Sequence, residues 1–318
     1  MSNIRVLSLF SGIGAFEEAL KNIGIQFEVI NYCEIEDKIA KAYSLIHKIN
    51  ESKRIKDIRD IRTEEIEDFD LITLGFPCVD ISSIGKQQGI IKGETRSGLL
   101  YNALDIIKVK LPSYIVIENT SNWKRNKKFT YNYEEIIEYL DCFGYNCYGE
   151  ILNSLDYGHA QHRERTYVVA IRKDKNKYFK FPEKNIKNTK KLNSIIEIGQ
   201  SDSTYYLTEK NIKSYVLKRS EFKKRFNVKN IYTNHASTLC AKGCKEAITN
   251  NYIVDIKGIR GLTERECFKL QGFNPDYVKL LNDNKIQGRV VYKMIGNSIP
   301  VKVLEGIFRN LFDKECIV

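Results

Sequence analysis

The first 171 residues alternate short apolar runs with longer stretches whose apolar positions recur three and four residues apart. Arg5–Phe10, Phe27–Tyr32, Leu71–Phe76, Tyr114–Glu118, Cys147–Asn153 and Thr166–Ile171 are candidate strands, bounded by polar or turn-forming residues. Ala15–Asn22, Asp37–His47, Leu99–Lys108 and Tyr133–Phe143 carry the period of one helix face. Strands alternating with helices at this spacing predict an α/β fold with a doubly wound, mostly parallel sheet. From about Lys173 the pattern weakens into Lys-, Asn- and Tyr-rich sequence, which predicts a second, smaller domain of irregular structure. A helical pattern returns at Val301–Phe312.

Composition narrows the class. The 318 residues, 42% apolar and 29% charged, suffice for one large core or two unequal ones. No segment approaches eighteen consecutive apolar residues, so no membrane span is expected. The N-terminus enters a strand-like run without a basic and apolar leader pattern, so a cytoplasmic protein is expected. None of the eight cysteines is spaced Cys-x-x-Cys, and the four histidines do not cluster with them. Neither a metal site nor a disulfide framework is expected from that spacing. The net charge of +11 is more informative, because it is concentrated. Arg172 to Lys257 holds 20 Lys and Arg against 8 Asp and Glu, a net of +12, so the rest sums to −1. Lys190-Lys191 and Lys223-Lys224-Arg225 lie in this segment. A basic excess confined to one part of an otherwise balanced chain points to a polyanionic partner, a nucleic acid.

Candidate chemistry sits at the ends of the expected strands. Phe10-Ser11-Gly12-Ile13-Gly14 follows the first strand and opens a helix, a turn in which backbone can approach a ligand. Position 17 is Glu where a dinucleotide fingerprint has its third glycine, which favours a nucleoside without a pyrophosphate. Glu34, just after the second strand, suits a ribose hydroxyl, and Asp57-Ile58 lies near the end of a third. A dehydrogenase shares most of these features. Gly75-Phe76-Pro77-Cys78 closes the next strand and aims a thiol at the crevice of such a sheet. A free cysteine more often packs than reacts. Glu118-Asn119 reads equally as a strand end, and Gln161-x-Arg163-x-Arg165 as a basic edge.

Taken in order, these segments are specific. With Arg260-x-Leu262-Thr263-x-x-Glu266, Leu270-Gln271-Gly272-Phe273 and Gly296-Asn297-Ser298, the chain resembles the single-chain bacterial cytosine-5 DNA methyltransferases over about residues 4–171 and 235–310. The resemblance implies a Rossmann-like domain that binds S-adenosylmethionine (residues 1–175, completed by 288–318). It also implies a smaller target-recognition domain and hinge over 176–287. It places Phe10, Gly12, Gly14, Ile58, Pro77, Leu99, Asn297 and Ser298 around the donor. Glu34 would hold the ribose, Ile35 would pack on the adenine and Asp57 would bind its amino group.

The reaction implied needs no metal: Cys78 adds to carbon-6 of cytosine, which makes carbon-5 nucleophilic toward the donor's methyl group. Glu118 would bond ring nitrogen 3 and the exocyclic amine, and Arg165, with Arg163 nearby, would hold the carbonyl oxygen. The base must be flipped out of double-stranded DNA, with Val79–Gly98 as a lid. Ser82, Ser83 and Arg96 there, and Thr238, Leu239 and Lys242 in the smaller domain, are the expected DNA contacts. A monomer is expected, as the protective half of a restriction–modification pair whose endonuclease acts on the same site; the alternatives are an RNA cytosine-5 methyltransferase of the same superfamily and a DNA-binding protein that has lost catalysis. Val79 and Thr120 depart from the family's usual Gln and Val.

Overall fold

The computed structural model describes residues 3–82, 85–184, 190–199, 202–213, 228–229, 235–241 and 251–312. By contact density the chain divides into two units. One comprises Met1–Leu152, Glu164–Glu183 and Leu304–Val318; the other comprises Asn153–Arg163 and Lys184–Val303.

The first unit is built on a seven-stranded sheet ordered β3-β2-β1-β4-β5-β7-β6. Its strands are β1 (Ile4–Leu9), β2 (Phe27–Cys33), β3 (Arg54–Ile55), β4 (Leu71–Gly75), β5 (Tyr114–Thr120), β6 (Tyr145–Asn153) and β7 (Glu164–Arg172). The pairs β1–β2, β2–β3, β1–β4 and β4–β5 are parallel, and β7 runs antiparallel to β5. Leu71, Ile72, Leu74, Ile115, Val116 and Ile117 are all fully buried, without alternation. Such uninterrupted burial identifies a sheet covered on both faces. The covering helices include α1 (Ala15–Asn22), α2 (Asp37–His47), α3 (Leu100–Lys110) and α5 (Lys127–Cys142), with the short α4 (Asn122–Arg125) before the last.

The chain starts in the middle of the sheet, runs outward through β2 and β3, then returns to the other side of β1 as β4. That reversal opens a crevice at the carboxyl ends of β1 and β4, where α/β proteins bind ligands. Phe10–Gly14 leaves β1 there, and Phe76-Pro77-Cys78 leaves β4 there. The helix Val301–Phe312 brings the end of the described chain into this unit. Phe308 packs edge-on to Phe16 at 6.3 Å and Phe312 to Tyr114 at 5.4 Å.

The second unit is less irregular than its composition suggests. Tyr252–Asp255 and Gly258–Gly261 form an antiparallel hairpin, with Val228–Lys229 paired parallel to its first strand. Helices follow at Glu264–Gln271, Tyr277–Asp283 and Arg289–Asn297. Thr263 starts the first of these with a full capping box: its hydroxyl accepts from Glu266 N, and Glu266 returns a carboxylate to Thr263 N. No helix among the described residues is long and apolar enough to cross a membrane.

Candidate active site

The donor side is built from two β-α turns. Phe10, Gly12 and Gly14 all have positive φ (53°, 56° and 76°), which lets the loop fold back over the end of β1. The Glu34 carboxylate, at the end of β2, accepts from Gly12 N at 3.1 Å and from Glu36 N at 2.9 Å. Burial raises its pKa, against those two amides. Ile35 beside it is 49% exposed, an apolar surface next to a hydroxyl acceptor. A Cβ on Gly12 would meet nothing within 4 Å, so there is open space over the loop. Carboxylate, apolar face and open glycine together fit an adenosine-bearing group.

Other expected donor residues are placed less simply. Asp57 caps the short turn after it and is gripped by Arg59, with Nε to Oδ1 at 3.0 Å and Nη2 to Oδ2 at 2.5 Å. That pairing lowers its pKa. Ile58 is a core residue, and Leu99, Phe10 and Cys78 pack against the same core. Asn297 is exposed at the end of its helix, in the second unit with Ser298.

His47, at the end of α2, went unnoticed in the sequence. Its Nε2 lies 2.8 Å from Ile13 O, and a Cβ on Gly14 would fall 2.1 Å from that nitrogen. The donor loop therefore rests directly on an imidazole. Glu17 is fully buried beside it, and burial raises its pKa. Burial also pulls His47 down to about 4.

In the second unit, His159 bonds Leu270 O with Nδ1 and accepts Lys302 N at Nε2, and burial lowers it to about 3. An unfolded imidazole titrates near about 6.5, so below that pH the unfolded chain binds more protons and stability falls with pH. The loss runs from about 6.5 down to about 4 for His47 and to about 3 for His159. By pH 5 it amounts to about 2 kcal/mol for each histidine. Glu17, with its raised pKa, acts in the opposite sense. Denaturant unfolding of the native chain and of His47→Gln at pH 7 and 5 isolates the effect: the variant should lose less stability between the two. Equal losses would show that His47 is not held neutral.

The reaction side is drawn together by the sheet. In the parallel register Gly75 pairs with Glu118, and Thr120 pairs with Arg165 across the antiparallel strand. Cys78 is half-buried, three residues beyond Gly75. Glu118 and Arg165 form an ion pair, Nε to Oε1 at 3.1 Å, with side chains 9% and 15% exposed. Asn119 Nδ2 donates to Phe76 O at 2.9 Å, tying the end of β5 to the turn that carries Cys78. A carboxyl group and a guanidinium thus pair near the ends of β5 and β7, and the turn that carries Cys78 leaves the end of β4, the strand beside β5.

Arg163 is placed differently. Its buried guanidinium donates to Leu239 O (2.8 Å), Gly296 O (3.1 Å) and Ser298 O (2.8 Å), all within the second unit. Gln161 receives Leu239 N at 2.7 Å and donates to Gln271 Oε1 at 3.2 Å. Thr238 Oγ1 donates to His162 O at 2.7 Å. Gly296 has no alternative residue, since a Cβ would lie 2.5 Å from the Cys240 carbonyl. Four separate motifs of the sequence therefore hold one another, and Arg163 positions the Thr238-Leu239 segment. Of the expected DNA contacts, Arg96 is exposed, and Ser82 and Thr238 are partly so. Leu239 is buried, and Ser83 and Lys242 lie outside the described residues. No group of potential metal ligands occurs among the described residues.

Solved structures share this fold. The structure superposes on the S. pombe Dnmt2 methyltransferase with a TM-score of 0.78 (21% identity, 96% of this chain and 97% of that one). It superposes on the Entamoeba histolytica methyltransferase EhMeth with 0.81 (19% identity, 99% of each). This is the Rossmann-like fold of S-adenosylmethionine-dependent methyltransferases. Residues 4–313 match the C-5 cytosine-specific DNA methylase family, and the chain belongs to it. It is 32% identical to the type II methyltransferase M2.ScrFI of Lactococcus lactis subsp. cremoris, over 93% of this chain and 82% of that protein. It is 29% identical to the type II methyltransferase M.Bsp6I of Bacillus sp. (strain RFL6), over 97% and 98%. The chain is a DNA cytosine-5 methyltransferase.

Proposed function

We propose that the protein methylates carbon-5 of a cytosine flipped out of a specific double-stranded DNA sequence, through a covalent bond from Cys78 to carbon-6. The Glu118–Arg165 ion pair on the strands next to the one that leads into Cys78 supports this reading. S-adenosylmethionine supplies an electrophilic methyl group on a sulfonium. Glu34 and Ile35 would hold its ribose and adenine beneath the Phe10–Gly14 loop. The Cys78 thiolate adds to carbon-6, and the ring electrons it displaces make carbon-5 a nucleophile. A protonated Glu118 would donate to nitrogen 3 and accept from the exocyclic amine while Arg165 would donate to the carbonyl oxygen, so both would stabilise the charge that builds on the ring. Loss of the carbon-5 proton and departure of the thiolate restore the aromatic ring and free the enzyme.

Residues 1–175 with 288–318 would act as the catalytic domain and 176–287 as the target-recognition domain. The basic excess of Arg172–Lys257 suits a DNA backbone. Its similarity to type II methyltransferases supports a protective role beside a restriction endonuclease; we further propose a monomer that acts in the cytoplasm. Incubating the protein with S-adenosylmethionine and genomic DNA, then sequencing for 5-methylcytosine, tests the reading. Methylation at one recurrent sequence is expected, and its complete absence would contradict it. DNA affinity should also fall with salt: neutralising about four phosphates implies about a hundredfold loss between 50 and 200 mM. A flat response in a filter-binding titration would remove the basic segment from the account.

A further inference from the structure

We propose that Ser97, held in place by Asp80, is a positioning residue for the Cys78 nucleophile. The proposal rests on the reading of Cys78 given above. Three successive carbonyls lead through the catalytic turn, and each is held from a different place. Phe76 O accepts from Asn119 Nδ2 at 2.9 Å, from the end of β5. Pro77 O accepts from Ser97 Oγ at 2.6 Å. Cys78 O accepts from Ile81 N at 3.1 Å and Ser82 N at 2.9 Å, within the turn itself.

Because each peptide is planar, holding a carbonyl fixes the plane of the bond that follows it. Three fixed planes determine the backbone angles of Pro77 and Cys78, and so the direction of the Cys78 Cα–Cβ bond. The middle bond has the largest leverage, since the Pro77–Cys78 peptide joins the two residues directly. Proline has no N–H of its own with which to anchor the turn.

Ser97 is suited to this task by its surroundings. It is fully buried, twenty residues downstream, at the start of the short turn before α3. Its own N–H donates to Asp80 Oδ2 at 2.9 Å, and Asp80 is 2% exposed. Asp80 O in turn accepts from Gly89 N at 2.9 Å. The carboxylate thus holds Ser97, and Ser97 holds Pro77. A hydroxyl in such a buried place donates in one direction only, toward the carbonyl that needs it.

A displaced nucleophile slows a reaction without weakening binding, by about a hundredfold for a shift of about 1 Å. Ser97→Ala and Asp80→Ala should therefore slow methyl transfer in a single turnover about ten- to a hundredfold. Their affinities for cognate DNA and for S-adenosylhomocysteine, and their unfolding temperatures, should stay near those of the native enzyme. Asp80→Asn keeps an acceptor for Ser97 N–H and should recover most of the rate, as should Ser97→Thr, which keeps the hydroxyl. Native single-turnover rates in folded Ser97→Ala and Asp80→Ala would overturn the proposal. So would a loss shared by rate, binding and stability, which marks a purely structural role. Activity surviving in Cys78→Ala would overturn the reading of Cys78 itself, and that outcome is separately visible.

Discussion

Cys78→Ala is expected to abolish methyl transfer, by roughly four orders of magnitude or more, because no other group can supply the covalent bond at carbon-6. Cytosine carbon-5 is a poor nucleophile until that bond forms. The fold should tolerate the change. Cys78 is half-buried and contributes one sulfur at the margin of the main core, so stability should move by about 1 kcal/mol or less. Binding of DNA and of the methyl donor should persist, since Glu34, the Phe10–Gly14 loop and the basic segment are untouched. Filter binding and donor calorimetry on the variant, beside a labelled-methyl assay, separate the two roles. Loss of DNA binding along with transfer would reassign Cys78 to structure.

Arg260→Met should be the most destabilising single change in the second unit, by about 3–5 kcal/mol. Arg260 is fully buried, as are the side chains of Asp255 and Glu266 that flank it. Its Nε bonds Asp255 at 2.6 Å, and its two terminal nitrogens bond Glu266 at 2.9 and 2.8 Å. Glu266 also closes the capping box and accepts Glu197 N. Removing the guanidinium leaves two carboxylates in an apolar interior with no cation, which costs far more than the net value of the intact group. Hydrogen exchange over Tyr252–Gln271 reads the loss. Neutralising the acids as well, with Asp255→Asn and Glu266→Gln, should restore part of the protection. Unchanged protection in Arg260→Met would show that the cluster carries no weight.

Much of the first unit is legible in the pattern of apolar positions. Six strands begin and end within two residues of their expected bounds, because polar or turn-forming residues bound each apolar run. Ala15–Asn22, Asp37–His47 and Val301–Phe312 coincide with the helices found. Helix α5 starts at Lys127, six residues before its expected start at Tyr133, because Asn126 caps it and Phe129 already packs into the core. The second unit was harder to read. Its hairpin is short and carries a buried ionic cluster at Asp255, Arg260 and Glu266, which hydropathy does not show. The Thr263-x-x-Glu266 spacing is a capping-box signature and could have revealed the helix behind it. Cys78, Glu118 and Arg165 were identifiable through the resemblance of their motifs, taken in order, to the cytosine-5 methyltransferases, since a position near a strand end reads equally as packing or a turn. Arg163 was not separable from Arg165 by spacing, since only the fold shows that its donors face three carbonyls. The grip of Arg59 on Asp57 and the support of the donor loop by His47 likewise depend on side-chain directions that no periodicity encodes.

The central claim is a covalent bond between Cys78 and the target base. DNA carrying 5-fluorocytosine tests it directly, because fluorine at carbon-5 cannot leave as a cation and the thiolate cannot then depart. Digestion of the trapped complex followed by peptide mass spectrometry should find the nucleotide on the peptide containing Cys78, and only when S-adenosylmethionine is present. A methylating enzyme that forms no adduct, or forms it at another cysteine such as Cys240 or Cys147, would contradict the account.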